Sequence, residues 1–504
     1  MTKERTETEV IEAKFTVSSV ADERVHTGID GLDPLIEGGL PKGSLVLLAG
    51  NPGTGKTIFS MQFLYRGVKD YGENGIYVSF AESEEAIFHN MSKVFGFDIG
   101  DVKDKLKVLD FTTVTEKGLS TVLEMILEEV AASNAKRLVI DSFSAMAQAF
   151  KEPIEARSIL HNILGKLVRQ LGCTTLLIIE VPTGSERLGI SIEEFVADGV
   201  IFLKKDYHND MLIREIEIKK MRGTRVERQK FLCTMHKGFK VFKPFNLKEI
   251  EKLENLPKFE ATRGTKTHYP SGIPELDEIL GGNGYPRGAS VLFELGENVP
   301  LDALFAVLAP TAANFIMRNR GLMVVPPLAY GPDDVKKIVA SFTGEEQFEK
   351  CAMVTAFPNP LVDASKPYVI LWKDPVVEKL DPVENFNLYI EYSMALASRL
   401  GKNVMHILNA DNITYMVWGG GPLVASAIGR STIANNAGKD LMVYVAMPSF
   451  PEVTKILSDT LHMHFKIEEK NGAIILYGKK PKTTIYVVEP DPSRGCRVRL
   501  TPML

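Results

Sequence analysis

The sequence is poor in several features that would point to particular classes of protein. Its 504 residues include four cysteines, Cys173, Cys233, Cys351 and Cys496, which lie far apart and form no CxxC pair. This spacing favours free thiols in a reducing cytoplasm over disulfides or a zinc site. No apolar run approaches the roughly 18 residues of a membrane span, and we expect no secretion signal, because the N-terminus mixes both charge signs.

An excess of positive charge is also missing. The formal net charge is -5, which disfavours a general nucleic-acid coat because such proteins are usually basic. Glutamine is scarce, whereas Glu and Lys are abundant, and this balance is typical of a heat-adapted source such as an archaeon. Apolar residues make up 45% of the chain and charged residues 24%, as expected for a globular protein.

Two segments of the sequence resemble each other. Residues 27–43 read TGIDGLDPLIEGGLPKG and residues 271–288 read SGIPELDEILGGNGYPRG. A short apolar run follows each, and further β-rich runs alternate with longer helical stretches in both halves. This pattern predicts an α/β fold of two tandem domains, each a mostly parallel twisted sheet flanked by helices.

The same pattern predicts the boundaries of the domains. A charged N-terminal extension covers residues 1–24, the first domain residues 25–245 and the second domain residues 269–504. Residues 246–268 are polar and charged without a strand pattern, which is typical of a linker.

The segment GNPGTGKT, residues 50–57, fits the pattern G-x-x-x-x-G-K-[ST] of a phosphate-binding loop. It lies between an apolar strand and a segment with helical spacing, as such a loop requires. Glycines let backbone N–H groups face anionic oxygens, and the helix N-terminus adds partial positive charge. Lys56 is expected to reach the β- and γ-phosphates and Thr57 to ligate Mg²⁺. The predicted ATP-binding residues of this loop are Gly50, Asn51, Pro52, Gly53, Thr54, Gly55, Lys56, Thr57 and Ile58.

Two carboxylates are expected near this loop. Asp141 ends the apolar run RLVID and is predicted to hold Mg²⁺ through water, with a turn cap as the alternative. Glu82 follows the run GIYVSF by two residues and is the candidate general base that orients the attacking water. Glu84 and Glu85 could equally begin a helix.

The first half of the chain resembles the RecA-like ATPases, specifically the branch that contains KaiC, the archaeal RadA-type proteins and the gas-vesicle regulator GvpD. The matching segments are TGIDGLDPLIEGGLPKGS, the phosphate-binding loop, VSFAESEEAI, LVIDSFSAM, TTLLIIE, IEEFVADGVIFLK and EIKKMRGTR. The resemblance implies a homo-oligomeric ring, usually a hexamer, with ATP at the seam between subunits. A regulatory protein partner is compatible with this plan.

The resemblance also implies roles for three further residues. In the KaiC-like branch, a K-x-R-G-T motif reaches across the seam to the γ-phosphate, and Lys220 and Arg222 occupy those positions in KMRGT; without the resemblance, a basic surface strand is the simpler interpretation. Glu180 resembles a residue that senses the nucleotide state, with an ordinary sheet-edge carboxylate as the alternative. Where clock-type relatives commonly carry two glutamates, this chain has Ala81–Glu82, which implies slow hydrolysis if the first glutamate is the base.

The second copy has lost these groups. The replacements are Leu295 for Gly50, Pro300 for Gly55, Leu301 for Lys56, Asp302 for Thr57 and Asn409 for Asp141, with Asp411 as a weaker candidate for the last position. Leu301 removes the cation, and Asp302 would place an anion against phosphate. GKKPKTT stands where KMRGT would be. The second domain is therefore predicted to keep the fold without the ATP chemistry.

The leading hypothesis is a slowly hydrolysing ring ATPase that acts as a nucleotide-dependent switch or regulator. A RadA-type DNA recombinase is the first alternative, but its DNA loop would be the acidic segment VPTGSERLGISIEEF, residues 181–195, which disfavours contact with phosphates. A scaffold that binds ATP without hydrolysis is the second alternative. Kinase activity would fit the wider family but has no motif of its own in this sequence.

Overall fold

The computed structural model describes residues 24–93, 96–112, 119–144, 165, 170–182, 197–373, 382–413, 438–449 and 451–504. The predicted N-terminal extension up to residue 23 lies outside the described residues, as do residues 183–195 of the acidic segment considered as a DNA loop. Within the described ranges, the chain forms two large mixed sheets flanked by helices.

The first domain is built around the first of these sheets. Its described strands are β1 Arg24–Val25, β2 Leu40–Pro41, β3 Leu45–Gly50, β4 Gly75–Ser79, β5 Leu106–Asp110, β6 Arg137–Asp141, β7 Thr174–Glu180, β8 Gly199–His208, β9 Met211–Met221, β10 Lys230–Thr234 and β11 Lys240–Val241. Its described α-helices are α1 Lys56–Tyr71, α2 Glu84–Lys93 and α3 Leu119–Ser133. Two short 3-10 helices cover Asp33–Ile36 and Ile99–Asp101.

The order of the strands places the predicted site at one edge of this sheet. Among the described residues the order is β11-β10-β9-β8-β3-β7-β6-β4-β5. The strands from β8 to β5 run parallel, whereas β9, β10 and β11 are added antiparallel. Strand β3 is buried on both faces, with Val46 and Leu48 in one apolar cluster and Leu47 and Ala49 in another. The loops after β3, β4, β6 and β7 therefore meet at the carboxyl edge, where α/β sheets bind ligands.

The second domain follows a short helix, α4 Lys248–Glu251, that lies in the predicted linker. Its described strands are β12 His268–Tyr269, β13 Tyr285–Pro286, β14 Ser290–Leu295, β15 Gly321–Val325, β16 Ala352–Ala356, β17 Val369–Leu371, β18 Val404–Asn409, β19 Leu441–Ala446, β20 Met463–Lys470, β21 Ala473–Lys480, β22 Tyr486–Pro490 and β23 Val498–Pro502. Its described helices are α5 Pro274–Ile279, α6 Leu301–Met317, α7 Pro332–Thr343, α8 Glu345–Cys351, α9 Pro382–Leu400, α10 Ala410–Ile413 and α11 Pro451–Thr460.

The second sheet repeats the first strand by strand. Its order within the described residues is β23-β22-β21-β20-β14-β19-β18-β15-β16-β17, so that β14 corresponds to β3, β20 to β8 and β18 to β6, with β17 added at the edge. The predicted fold class, two tandem mostly parallel α/β domains of the RecA-like type, is confirmed. Phe259, in the predicted linker, packs into the second core with its ring centroid 5.7 Å from that of Phe342.

The two domains contact each other through the antiparallel ends of their sheets. Lys240 pairs with Glu489 at 2.7 Å, and the Thr234 hydroxyl donates a hydrogen bond of 2.9 Å to the carbonyl of Pro502. One buried apolar cluster contains Ile213, Leu232 and Phe242 of the first domain with Ala473, Ile475, Tyr477, Ile485, Val487 and Met503 of the second. No helix among the described residues has the length and apolar character needed to cross a membrane.

A candidate nucleotide site on the first sheet

The predicted phosphate-binding loop connects β3 to α1. Gly55 precedes the helix with φ of 98°, a left-handed conformation that side chains other than glycine's rarely adopt. Gly50 is required for a different reason: a Cβ at this position would lie 2.5 Å from the carbonyl oxygen of Leu203 on β8. The sequence therefore folds here into the strand, loop and helix that a phosphate cradle needs.

The loop holds the Lys56 side chain inside it. Only 7% of Lys56 is exposed, and its ammonium donates to the carbonyl oxygens of Gly50 at 2.9 Å and Asn51 at 3.1 Å. Burial lowers the pKa of Lys56, whereas the negative charges of Glu180 and Asp141 oppose this change. A cation is thus enclosed by the loop and faces two carboxylates.

The other loop residues fix its shape or lie at its surface. The Asn51 side-chain amide donates to the carbonyl of Pro182 at 2.8 Å, which ties the loop to the segment after β7. The Thr54 hydroxyl is buried and donates to the carbonyl of Asn51 at 2.8 Å. Pro52 and Gly53 are exposed. The remaining predicted residues, Thr57 and Ile58, are half-buried in the first turn of α1.

Three predicted carboxylates come together at the same edge of the sheet. Asp141 ends β6, Glu180 ends β7 and Glu82 follows β4. Burial raises the pKa of Asp141, a hydrogen bond from Tyr77 and the charge of Lys56 lower it, and the charges of Glu180 and Glu82 raise it further. Because β3, β7, β6 and β4 are parallel neighbours in the sheet, these three carboxylates lie at the same edge as Lys56.

Glu82 is the most exposed of the predicted catalytic groups at this edge. Its backbone amide donates to the Ser79 hydroxyl at 3.0 Å, and its carboxylate accepts from the Asn90 side chain at 3.3 Å. The first contact fixes the turn after β4, and the second holds the carboxylate against the second half of α2. Glu82 is therefore exposed at the carboxyl end of β4, on the same sheet edge as the loop.

Lys220 and Arg222 are not brought to this edge. Strand β9 runs antiparallel to β8, so that Met221 pairs with Gly199, and Gly199 pairs with Val46 of β3. Val46 lies four residues before Gly50, or about 13 Å along the strand, at the opposite edge from the loop. Lys220 donates to the carbonyl of Ala197 at 2.7 Å and Arg222 pairs with Asp198 at 3.0 Å. Neither side chain is thus in a position to serve the loop of its own chain.

Sequence reasoning missed two residues of the site. Tyr77 on β4 is buried and donates a hydrogen bond of 2.5 Å to the Asp141 carboxylate, which orients it. Lys205 on β8 lies against the loop, because a Cβ on Gly53 would be 2.6 Å from its ammonium nitrogen. The signal for Lys205 was available as a basic residue at the end of the apolar run GVIFLKK, but only the pairing of β8 with β3 shows which loop it reaches.

The corresponding edge of the second sheet is filled by ion pairs. Glu294 is the next-to-last residue of β14 and accepts hydrogen bonds of 2.8 Å from both His464 and Lys479, while Lys466 lies at 3.3 Å. Burial alone would raise the pKa of Glu294, but these contacts outweigh it and hold the pKa at about 2. The lysines nearest to the former loop are therefore already neutralised within the chain. Asp302, at the position of Thr57, accepts a hydrogen bond of 3.3 Å from the hydroxyl of Tyr330.

The position of Asp141 is also rebuilt in the second domain. Asn409 ends β18, is buried, and accepts a hydrogen bond of 2.8 Å from the backbone amide of Asn412. Asp411 follows it, accepts a hydrogen bond of 2.8 Å from the amide of Met447, and leaves its second carboxylate oxygen buried without a partner. Burial raises the pKa of Asp411 to about 6.

This buried carboxylate makes stability depend on pH. The pKa of Asp411 is higher in the folded chain than in the unfolded chain. Its contribution to the free energy of unfolding is therefore fully present below pH 4 and is lost as the pH rises through 6. The difference between the folded and the unfolded pKa corresponds to about 3 kcal/mol in the free energy of unfolding. Asp411→Asn is therefore expected to raise the melting temperature at pH 7.5 by several degrees, with the gain vanishing near pH 4. The exposed Asp459→Asn is the control, and an equal gain at both pH values would contradict this account.

Comparison with known proteins finds relatives of the first domain. The family model described as "ATPase: KaiC" matches residues 25–244. The circadian clock oscillator protein KaiC of Parasynechococcus marenigrum (strain WH8102) is 32% identical over 271 residues, covering 52% of this chain and 50% of that protein. KaiC of Thermostichus vulcanus is 31% identical over 275 residues, covering 53% and 51%. The chain thus spans about half the length of the curated relatives that it matches.

One solved structure is similar over its whole length. The crystal structure of the KaiC-like protein PH0186 from Pyrococcus horikoshii OT3 is 38% identical, covers 44% of this chain and 99% of its own chain, and gives a TM-score of 0.40. Residues 25–244, the part of the chain that the family model matches, therefore form an ATPase domain of the KaiC family.

Proposed function

We propose that the chain binds ATP in its first domain, hydrolyses it slowly, and acts as a nucleotide-dependent switch within a homo-oligomeric ring. Lys56 contacts the β- and γ-phosphates, Glu82 orients the attacking water, and Glu180 responds to the state of the nucleotide. The observation that carries this proposal is the enclosed Lys56 ammonium, which faces the carboxylates of Asp141 and Glu180 at the sheet edge where α/β proteins bind ligands.

The residues at this edge fit a magnesium ion. Mg²⁺ prefers hard oxygen donors and binds through one or two protein groups together with water and phosphate oxygens. The Thr57 hydroxyl and the Asp141 carboxylate are donors of this type. Burial disfavours the ionised form of Asp141 and raises its pKa, and a bound divalent cation would offset that cost. When bound, the ion would neutralise negative charge on the phosphates.

The seam arrangement supports a ring. Lys220 and Arg222 lie at the sheet edge away from the loop of their own chain, so a phosphate that they contact must be bound by another copy. A hexamer is the number we propose, on the resemblance to KaiC-like proteins. Bound ATP at the seam would then link the nucleotide state to the assembly of the ring, as a molecular switch requires. A regulatory protein partner would bind to this ring.

The proposal divides the chain into an active domain, residues 25–245, and a domain without ATP chemistry, residues 269–504, joined by residues 246–268. The internal ion pairs around Glu294 support this division. We place the protein in the cytoplasm, in line with its four buried free cysteines.

Glu82→Gln tests the hydrolysis step. Removing the carboxylate while keeping its shape is expected to lower phosphate release about 100-fold, because general bases contribute on that order, and to change ATP affinity by less than about threefold. The control is Glu84→Gln, since Glu84 is an exposed glutamate in the first turn of α2. Phosphate release and ATP binding are measured together.

Phosphate release and ATP binding, together with a DNA-binding measurement, separate the alternatives. Equal phosphate release by Glu82→Gln and the native chain would contradict the role of Glu82. A native chain that retains ATP tightly and releases no phosphate would show the scaffold instead of the switch. ATP-dependent DNA binding that weakens with salt would support the recombinase.

A further inference from the structure

Strand β8 carries a second lysine to the phosphate-binding loop. Leu203 pairs with Gly50, the last residue of β3, so that Lys205 lies two residues beyond the end of the pairing, beside the loop. A Cβ built on Gly53 would be 2.6 Å from Nζ of Lys205 and 3.4 Å from its Cε. The ammonium group therefore touches the exposed tip of the loop.

Lys205 differs from its neighbours in having no ion-pair partner among the described residues. Lys204 pairs with Glu217 at 3.0 Å and Asp206 pairs with Lys470 at 3.4 Å. The Lys205 ammonium makes no ion pair or side-chain hydrogen bond to any part of the chain that the structure describes. A charged group placed against an anion cradle, and not neutralised within the protein, is suited to bind an anionic ligand.

Lys56 and Lys205 repel each other across the loop. Burial is the main cause that lowers the pKa of Lys56, the charges of Glu180 and Asp141 oppose this change, and the charge of Lys205 adds a smaller lowering. The carboxylates of Glu180 and Asp141 compensate the charge of Lys56, whereas Lys205 lies at the exposed tip of the loop and forms no ion pair with the described residues, so its charge is left for an anionic ligand. A polyphosphate group would relieve this repulsion, which indicates what the arrangement binds.

The second domain offers an internal comparison. Its strand β20 pairs with β14 so that Ile467 lies beside Leu295, the residue at the Gly50 position. Two residues further on, at the position of Lys205, stands Glu469. The second domain thus has Leu301 at the position of Lys56 and Glu469 at the position of Lys205. Glu469 pairs with Arg228 of the first domain at 3.9 Å.

The end of β8 is held in place by the second domain. His208 contacts the Glu468 carboxylate at 2.6 Å, and the Asn209 side chain donates to the hydroxyl of Tyr477 at 2.7 Å. With the Asp206–Lys470 pair, these contacts fix the backbone on both sides of the strand end. Lys205 therefore extends from a supported strand and not from a free loop.

We propose that Lys205 is a second phosphate-binding lysine, supplied by the same chain, that contacts the β- and γ-phosphate groups of bound nucleotide together with Lys56. This inference rests on the proposed ATP site. It also implies a structural role for the second domain, because strands β20 and β21 of that domain position the end of β8, which carries Lys205.

The test is equilibrium binding of fluorescent ATP and ADP to the full chain and to three variants. Lys205→Gln is expected to weaken both nucleotides by about 10- to 100-fold, as for a lost charge-assisted hydrogen bond. Lys205→Arg keeps the charge and is expected to restore at least half of the affinity. Lys230→Gln, which removes an equal charge from an exposed position on β10, is expected to bind like the native chain. The melting temperature without nucleotide should be unchanged or higher in Lys205→Gln.

The outcomes distinguish this inference from the proposed function. If the native chain binds ATP and Lys205→Gln binds it within twofold, only the role of Lys205 is overturned. If Lys205→Arg is as weak as Lys205→Gln, or Lys230→Gln is equally weak, the specific role of this charge is also overturned. If the native chain binds neither nucleotide, the ATP site itself is wrong.

Discussion

Lys56→Ala is expected to weaken ATP binding by on the order of 100-fold or more and to abolish measurable hydrolysis. The Lys56 ammonium is enclosed by the loop through the carbonyls of Gly50 and Asn51, so no water can replace it without changing the loop. Removing one partner from a buried charge pair costs about 2–5 kcal/mol, and every 1.4 kcal/mol is tenfold in affinity. Isothermal titration with ATP and magnesium measures the effect.

Two further variants show whether geometry or charge is responsible. Lys56→Arg keeps the charge, but its larger planar head cannot fit the same carbonyl oxygens, so it should lose nearly as much affinity as Lys56→Ala. Lys230→Ala changes the net charge equally at an exposed site and should bind normally. Because burial already lowers the pKa of Lys56, Lys56→Ala should not lower the melting temperature. Normal ATP binding by Lys56→Ala would contradict the site.

Arg222→Ala is expected to lower hydrolysis about 1,000-fold while ATP binding stays within a few-fold of native. An arginine that stabilises the transferred phosphoryl group contributes about 10³–10⁵ to the rate. In its own chain Arg222 pairs with Asp198, and 72% of its side chain is exposed, so it is available to a neighbouring copy. Phosphate release at saturating ATP measures the change, and Arg225→Ala, an exposed arginine three residues along, is the control.

Mixing variants tests whether this arginine acts between chains. Lys56→Ala lacks the loop cation and Arg222→Ala lacks the seam arginine, so each is inactive alone. In mixed rings, some sites combine an intact loop from one chain with an intact arginine from the next. Activity should therefore reappear on mixing, in proportion to the number of such seams. A mixture as inactive as its components, although the chains assemble, would show that Arg222 acts within its own chain or not at all.

Much of the fold follows from local sequence signals. The strand, loop and helix at residues 45–71 were predictable because the apolar run, the glycines and the helical spacing are adjacent in the chain. The tandem repeat was predictable for a similar reason, and it implied that β14 would match β3. The loss of Lys56 to Leu301 could then be identified by alignment alone.

Other features depend on pairing between distant residues and could not be predicted. Lys205 reaches the loop only because β8 pairs with β3, about 150 residues earlier in the chain. The Tyr77–Asp141 hydrogen bond joins two neighbouring strands in the same way. The ion pairs of Glu294 require the antiparallel pair β20–β21 to lie beside β14. Periodicity indicates that such strands exist, but it does not specify their neighbours.

The second domain keeps the strand order of the first but has different side chains at the carboxyl edge of its sheet. Glu294 pairs with His464, Lys466 and Lys479 in one network at the sheet edge that corresponds to the phosphate-binding loop of the first domain. Its strands β20 and β21 contact the end of β8. The second domain therefore supports the strand end that carries Lys205.

The count of nucleotides bound per chain is the most direct measurement. Native mass spectrometry at saturating ATP and magnesium should find one nucleotide for each chain, and none in Lys56→Ala. Two nucleotides per chain, or one that persists in Lys56→Ala, would mean that the second domain binds ATP and would contradict the assignment of one working site to the first domain.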